Sequence, residues 1–178
     1  MTIEYREAAP EDASGIARVH VDSWRTTYVG IIPEETLANL SVERREAGWL
    51  ESIRREANFV YVAVDGEEIV GFICGGPERE ESMRQSDGMP FDAELYALYV
   101  LEGCHGQGAG SKLFHLLADR LVMAGFARML VWVLTDNEIG CRFYKAKGGV
   151  FENRRMIRIV GVDLEETGYG WDLPLQTT

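Results

Sequence analysis

A glycine-rich loop joins a strand-like run to an amphipathic helix within residues 94–114, ELYALYVLEGCHGQGAGSKLF. Gly103, Gly106, Gly108 and Gly110 allow the backbone to turn sharply there and to approach a ligand closely. The N–H groups that open the following helix lack intrahelical partners, and the helix dipole adds positive potential around them. Such a junction is a cradle for phosphate or pyrophosphate, or else a plain glycine-rich turn. Two common phosphate loops do not fit it. Gly106-x-Gly108 is followed by Ser111 where a dinucleotide loop has its third glycine, and Gly103-x4-Gly108 is followed by Ala109 rather than Lys.

The flanking segments read as strands and helices in succession. Residues 3–7 alternate like an edge strand. Pro10 and the acidic Glu11 and Asp12 open a helix that carries Ile16, Val19, His20, Ser23, Trp24 and Thr27 on one stripe to about Tyr28. Pro33 opens a short helix with Leu37 and Leu40, and Ser41 caps a third with Trp49, Leu50 and Ile53 on one face. Residues 59–64 and 68–74 read as an antiparallel pair around an Asp65-Gly66 turn. The polar connector 75–90, GGPEREESMRQSDGMP, is expected to order or close when the acceptor binds, or else to be a disordered decoration. Beyond Gly108, Leu113, Leu116, Leu117 and Leu121 line one helix face, and residues 128–134 read as a buried strand. Residues 137–147 read as a short helix ended by Gly148-Gly149, and 150–160 with 162–171 as a closing hairpin. This order predicts a mixed α/β sheet.

Composition narrows the function. With 178 residues, 46% hydrophobic and 26% charged, the chain can bury a core and is too apolar for disorder; one domain over 1–178 is expected. Asp and Glu outnumber Lys and Arg by 29 to 18, a net charge of −11. That balance excludes nucleic acid and anionic membrane as expected partners and suits a cationic small molecule. Cys74, Cys104 and Cys141 are widely spaced and odd in number, which reads as reduced thiols, and with three histidines no metal site is expected. The apolar run 129–134 is far short of a membrane span, and the N-terminus carries no signal-peptide stretch, so a cytoplasmic protein is expected.

The loop His105-Gly106-Gln107-Gly108-Ala109-Gly110 resembles the acetyl-CoA loop of the GNAT superfamily of N-acetyltransferases, Q/R-x-x-G-x-G/A. It departs in having His at the first position. Residues 135–152, TDNEIGCRFYKAKGGVFE, resemble the superfamily's N-x-x-A-x-x-F-Y-x-x-x-G-F segment. Asn137, Phe143, Tyr144 and Gly148 match, Cys141 stands in the small-residue region, and Gly149 and Val150 precede Phe151. Residues 6–41 also resemble the opening of many bacterial members, so the resemblance spans nearly the whole chain.

The resemblance implies a central, mostly antiparallel sheet of about seven strands, flanked by helices and splayed at the fourth and fifth. It implies acetyl-CoA as cosubstrate, without metal, and transfer to a primary amine by direct attack in a ternary complex. On it, Tyr144 is the acid that protonates the departing thiolate, and Glu94 a base acting through water. Period two puts Glu94, Tyr96, Leu98 and Val100 on one strand face, with Leu95, Ala97 and Tyr99 on the other. Leu98, Tyr99 and Val100 would offer backbone groups to the pantetheine arm; His105, Gly106, Gln107, Gly108, Ala109, Gly110 and Ser111 would hold phosphate. Asn137 would bind pantetheine or cap its helix, one side chain not easily doing both, and Phe143 would line the site. Trp24, Arg25 and Tyr28 fall near the family's acceptor pocket, while Cys104 and Cys141 read as small packing residues.

Two other readings fit parts of this pattern. A non-catalytic acyl-CoA-binding regulatory domain would keep the loop and lose the acid and base; a nucleotide-binding module would prefer ATP or NAD. For the acceptor, net charge favours a polyamine, an aminoglycoside or a peptide N-terminus, and an acidic amino acid is also open. A homodimer is common among proteins of this fold.

Overall fold

Burial of apolar side chains on both faces of one sheet organises the chain. The structure, a computed structural model, describes residues 2–79 and 90–176. Its strands are β1 (Ile3–Glu7), β2 (Phe59–Asp65), β3 (Glu68–Pro77), β4 (Ala93–Val100), β5 (Arg128–Leu134), β6 (Val150–Ile159) and β7 (Val162–Asp172). They form a seven-stranded sheet in the order β1-β2-β3-β4-β5-β7-β6. Every neighbouring pair is antiparallel except β4 and β5. The expected mixed α/β architecture is what forms.

Among the described residues five α-helices flank the sheet: α1 (Ala13–Thr27), α2 (Glu34–Ala38), α3 (Val42–Arg54), α4 (Ala109–Met123) and α5 (Glu138–Ala146). Leu113, Leu117 and Leu121 of α4 recur every four residues and are fully buried against Ile73, Leu95 and Met129. Ile16, Ala17 and Val19 of α1 pack with Trp49 of α3 on the opposite face, over Val62 and Phe72. A third cluster joins Tyr28, Ile32 and Leu37 to Leu134, closing the end of the sheet beside α1 and α2. Among the described residues no helix is long and apolar enough to cross a membrane.

Three expectations change. Pro10–Asp12 is a separate 3-10 turn, fixed by Arg6 donating to both Asp12 oxygens at 2.6 and 2.8 Å, and α1 begins after it. β3 continues three residues past Cys74, so Gly75, Gly76 and Pro77 pair with β4 rather than belonging to the connector. A side chain at Gly75 would meet Leu117 and the Glu94 carbonyl, which explains glycine inside a buried strand. Most of the connector, residues 80–89, lies outside the described residues, and with it the expected closure.

The third change alters the site. Cys74 pairs with Ala97 but Gly75 pairs with Leu95, so Tyr96 is an inserted residue in β4. Leu95 packs with α4 before the bulge, whereas Leu98 and Val100 do so after it. Tyr96, Ala97 and Tyr99 turn to the α1 and α3 face. Glu94 and Tyr96 therefore do not share a face with Leu98 and Val100, because one extra residue inverts the pleat beyond it.

Candidate active site

β4 and β5 stay paired only at Ala93–Met129, Glu94–Leu130 and Leu95–Val131, and then part. The wedge between them opens into a cleft of about 640 Å³, lined by β4, the glycine loop, the first turn of α4, β5 and α5. Gly106 and Gly108 both have left-handed backbone, at φ +73° and +85°. A Cβ built on either would meet nothing within 4 Å, so the space in front of the loop is open to a ligand. Gly108 is the N-cap of α4 and supplies no side chain to its first turn. The first N–H groups of α4 are thus an open donor set of the kind that binds phosphate, and the loop fits the group that the resemblance implies.

A cation supports this cradle. Lys147, just after α5, donates Nζ to Ser111 Oγ at 2.5 Å, and its carbonyl accepts the Trp171 indole N–H at 2.9 Å. Gln107 turns away: its amide donates to the Gly103 carbonyl at 3.1 Å, and it does not line the cleft. His105 bonds the Val100 carbonyl at 2.8 Å through Nε2, so its ring braces the strand end.

On α5, Asn137 Oδ1 accepts from Gly140 N–H at 3.0 Å, which is the cap. Asn137 also lines the cleft, and its amide NH₂ makes no other bond among the described residues. The two roles weighed for it are therefore compatible, since acceptor and donor ends of one carboxamide serve different partners. Tyr144 faces the cleft at 6% exposure, packed against Phe143 and Trp171 with ring centroids 5.3 and 6.0 Å away. Burial pushes its hydroxyl well above the ordinary tyrosine range, so it stays protonated and able to donate. Phe143 stands edge-on to Phe114 and holds α5 to α4.

The opposite mouth of the cleft is aromatic. Trp24 and Tyr28 from the end of α1 line it with Tyr99 and Glu166. The Tyr28 and Tyr99 hydroxyls are 2.9 Å apart, and burial raises both. Arg155 donates Nε to Glu166 Oε2 at 2.7 Å and lies 4.2 Å over the Trp132 ring. Arg25 is not part of the site; it donates to the Leu37 and Leu40 carbonyls at 3.3 and 3.0 Å and ties α1 to α2. His20 accepts from the Trp49 indole at 3.0 Å, and burial holds it neutral by lowering its pKa to about 3. Burial likewise raises the Cys74 thiol to about 11 and the Cys141 thiol above its usual value, in keeping with packing roles.

Glu94 is 4% exposed and does not line the cleft. Arg79 grips both its oxygens, with Nη2 at 2.5 Å from Oε1 and Nε at 3.2 Å from Oε2, while stacking 4.1 Å over Tyr96. The bulge at Tyr96 is why Glu94 does not share the face of Leu98 and Val100 that the strand's period predicted; its role as a base was implied by the resemblance. Lys147 and Glu166 were missed altogether. Lys147 occupies a variable position of its motif, and Glu166 sits in the polar stretch Glu165-Glu166-Thr167, with nothing local to single out either.

The acetyltransferase (GNAT) family model matches residues 18–148. The Bacillus subtilis protein YuaI, called an uncharacterized N-acetyltransferase, is 41% identical over 170 residues, covering 95% of this chain and 92% of that protein. Among solved structures, the PaiA N-acetyltransferase of Thermoplasma acidophilum in complex with coenzyme A superposes with a TM-score of 0.72 at 23% identity, over 94% and 98% of the two chains. The putative acetyltransferase yncA of Salmonella typhimurium, with acetyl-CoA, does so with a TM-score of 0.72 at 20% identity, over 100% and 98%. With its parted parallel strands, open helix start and family match over most of its length, this chain belongs to the GNAT acetyltransferase family.

Proposed function

We propose that the protein is an acetyl-CoA-dependent N-acetyltransferase that moves acetyl to a primary amine by direct attack in a ternary complex. One observation carries the reading: the open N–H groups of α4 and the proton-bearing Tyr144 hydroxyl line a single cleft. Acetyl-CoA, when bound, supplies an activated acetyl thioester. The backbone from Gly106 to Ser111, with Lys147 and braced by His105, holds the phosphates. Backbone groups of Leu98, Tyr99 and Val100, freed by the splay, together with the Asn137 NH₂, hold the pantetheine arm, and Phe143 packs beside it. Tyr144 keeps its proton until the thiolate departs, then donates it.

An ammonium must lose a proton before it can attack. Among the described residues Glu166 is the one Asp or Glu lining the cleft, and it takes that proton directly or through water. Glu94, held by Arg79 behind the cleft wall, acts instead as an anchor for the end of β4 at which β4 and β5 remain paired. The deciding experiment titrates CoA, ATP and NAD, then follows free thiol release from acetyl-CoA across a panel of amines. CoA preference with amine-dependent release supports the proposal. CoA binding with no release from any amine supports a non-catalytic acyl-CoA-binding domain, and ATP or NAD preference overturns both.

A further inference from the structure

The charges lining the cleft are few and divided between the sheet faces. Among the described residues, Lys147 is the one Lys or Arg and Glu166 the one Asp or Glu that line it. Lys147 stands at the phosphate cradle beside Ser111. Glu166 pairs across the sheet with Leu134, which packs with Tyr28 on the opposite face. The cleft lining on that side also includes Trp24, Thr27, Tyr28, Tyr99, Trp132, Leu134 and Ile159, mostly aromatic or aliphatic. Two cations back its walls rather than line it: Arg155, bound to Glu166 Oε2, and Arg45, 5.2 Å over the Trp24 ring.

Resting on the N-acetyltransferase reading, we infer that the acceptor is a primary amine with a single positive charge on an apolar body, an arylalkyl or alkyl ammonium, whose nitrogen is held by Glu166. Glu166 is already paired with Arg155 through Oε2, which leaves Oε1 to accept from one ammonium. A second ammonium would be desolvated against Trp24, Tyr28, Leu134 and Ile159 with no further carboxylate among the described lining residues, and with Arg45 lying over the Trp24 ring. A carboxylate on the acceptor would meet Glu166, with no cation among the described residues lining that end. The aromatic walls suit an apolar stem, and their π faces attract an ammonium further. Arg155 fixes Glu166 in place through Oε2, and among the described residues Oε1 accepts no bond from the protein. Net charge draws cations of every kind to the surface, whereas this lining selects by number of charges.

The test uses the full chain with acetyl-CoA and four acceptors: phenylethylamine, hexylamine, spermidine and glutamate. Initial rates of thiol release should give the first two a kcat/KM about 10-fold or more above the others. Glu166→Gln should raise the KM for phenylethylamine about 10-fold or more, the scale of a lost charged hydrogen bond, while CoA affinity by calorimetry stays unchanged. Should that variant fail to bind CoA, the wild-type order of the four acceptors decides. The inference is overturned by spermidine or glutamate performing as well as the monoamines. It is equally overturned by an unaltered KM in the variant, or by no turnover of any of the four in a protein that binds CoA. Failure of the wild-type protein to bind CoA instead overturns the acetyltransferase reading beneath it.

Discussion

Lys147 Nζ and Ser111 Oγ are 2.5 Å apart, joining the end of α5 to the first turn of α4 across 36 residues of sequence. This contact brings a positive charge to the helix start whose open N–H groups are the proposed phosphate cradle. Replacing Lys147 with Met keeps the stem and removes the charge. CoA affinity should fall about 10-fold and its salt dependence should flatten, whereas pantetheine, which lacks the phosphates, should bind as before. Calorimetry at two ionic strengths reads all three outcomes, and equal losses for CoA and pantetheine would show that the lysine only shapes the wall.

Tyr144→Phe separates chemistry from binding. The ring packing against Phe143 and Trp171 is retained, and only the buried proton donor is lost. Turnover should fall about 10²-fold, the usual contribution of a positioned acid, with CoA affinity unchanged. Single-turnover rates on the pre-bound acetyl-CoA complex check this, and an unaltered rate would assign the proton to another donor.

The Glu94–Arg79 contact predicts a stability effect in place of a catalytic one. Glu94→Gln leaves the Arg79 guanidinium without its charged partner at a buried strand position. Loss of a charged hydrogen bond of this kind costs about 1 kcal/mol or more, which thermal melts will register. The variant's turnover at neutral pH should remain within a few-fold of wild type. Activity lost at neutral pH and regained at alkaline pH would return Glu94 to the role of base.

Val160 adopts φ +47° and is followed by Gly161 at +82°, a turn that closes β6 onto β7. A β-branched residue is strained in the left-handed region, where Asn is at ease, and Val160 is 71% exposed, so it gives up little packing. Val160→Asn should stabilise the protein by about 1 kcal/mol, raising Tm by about 2–4 °C. A lower Tm would mean that the exposed valine contributes a contact outweighing its strain.

The segments legible in the sequence are those whose physics is local. Four glycines ahead of an amphipathic repeat announce an open helix start, and Leu113, Leu117 and Leu121 announce the face that buries it. The succession of periods was enough for a mixed α/β sheet, while the count of about seven strands and the place of α5 beside the glycine loop came from the family resemblance around Asn137 and Tyr144. What depends on pairing between distant segments was decided by the tertiary structure. The bulge at Tyr96 exists only as a mismatch between β3 and β4, and it turns Glu94 away from Leu98 and Val100. Arg79 reaches Glu94, Lys147 reaches Ser111, and Glu166 comes to Tyr28 and Tyr99 through sheet register and helix packing. A sequence period records which face a residue takes along its own element; the partner it meets there depends on how elements far apart in the chain come to rest against one another.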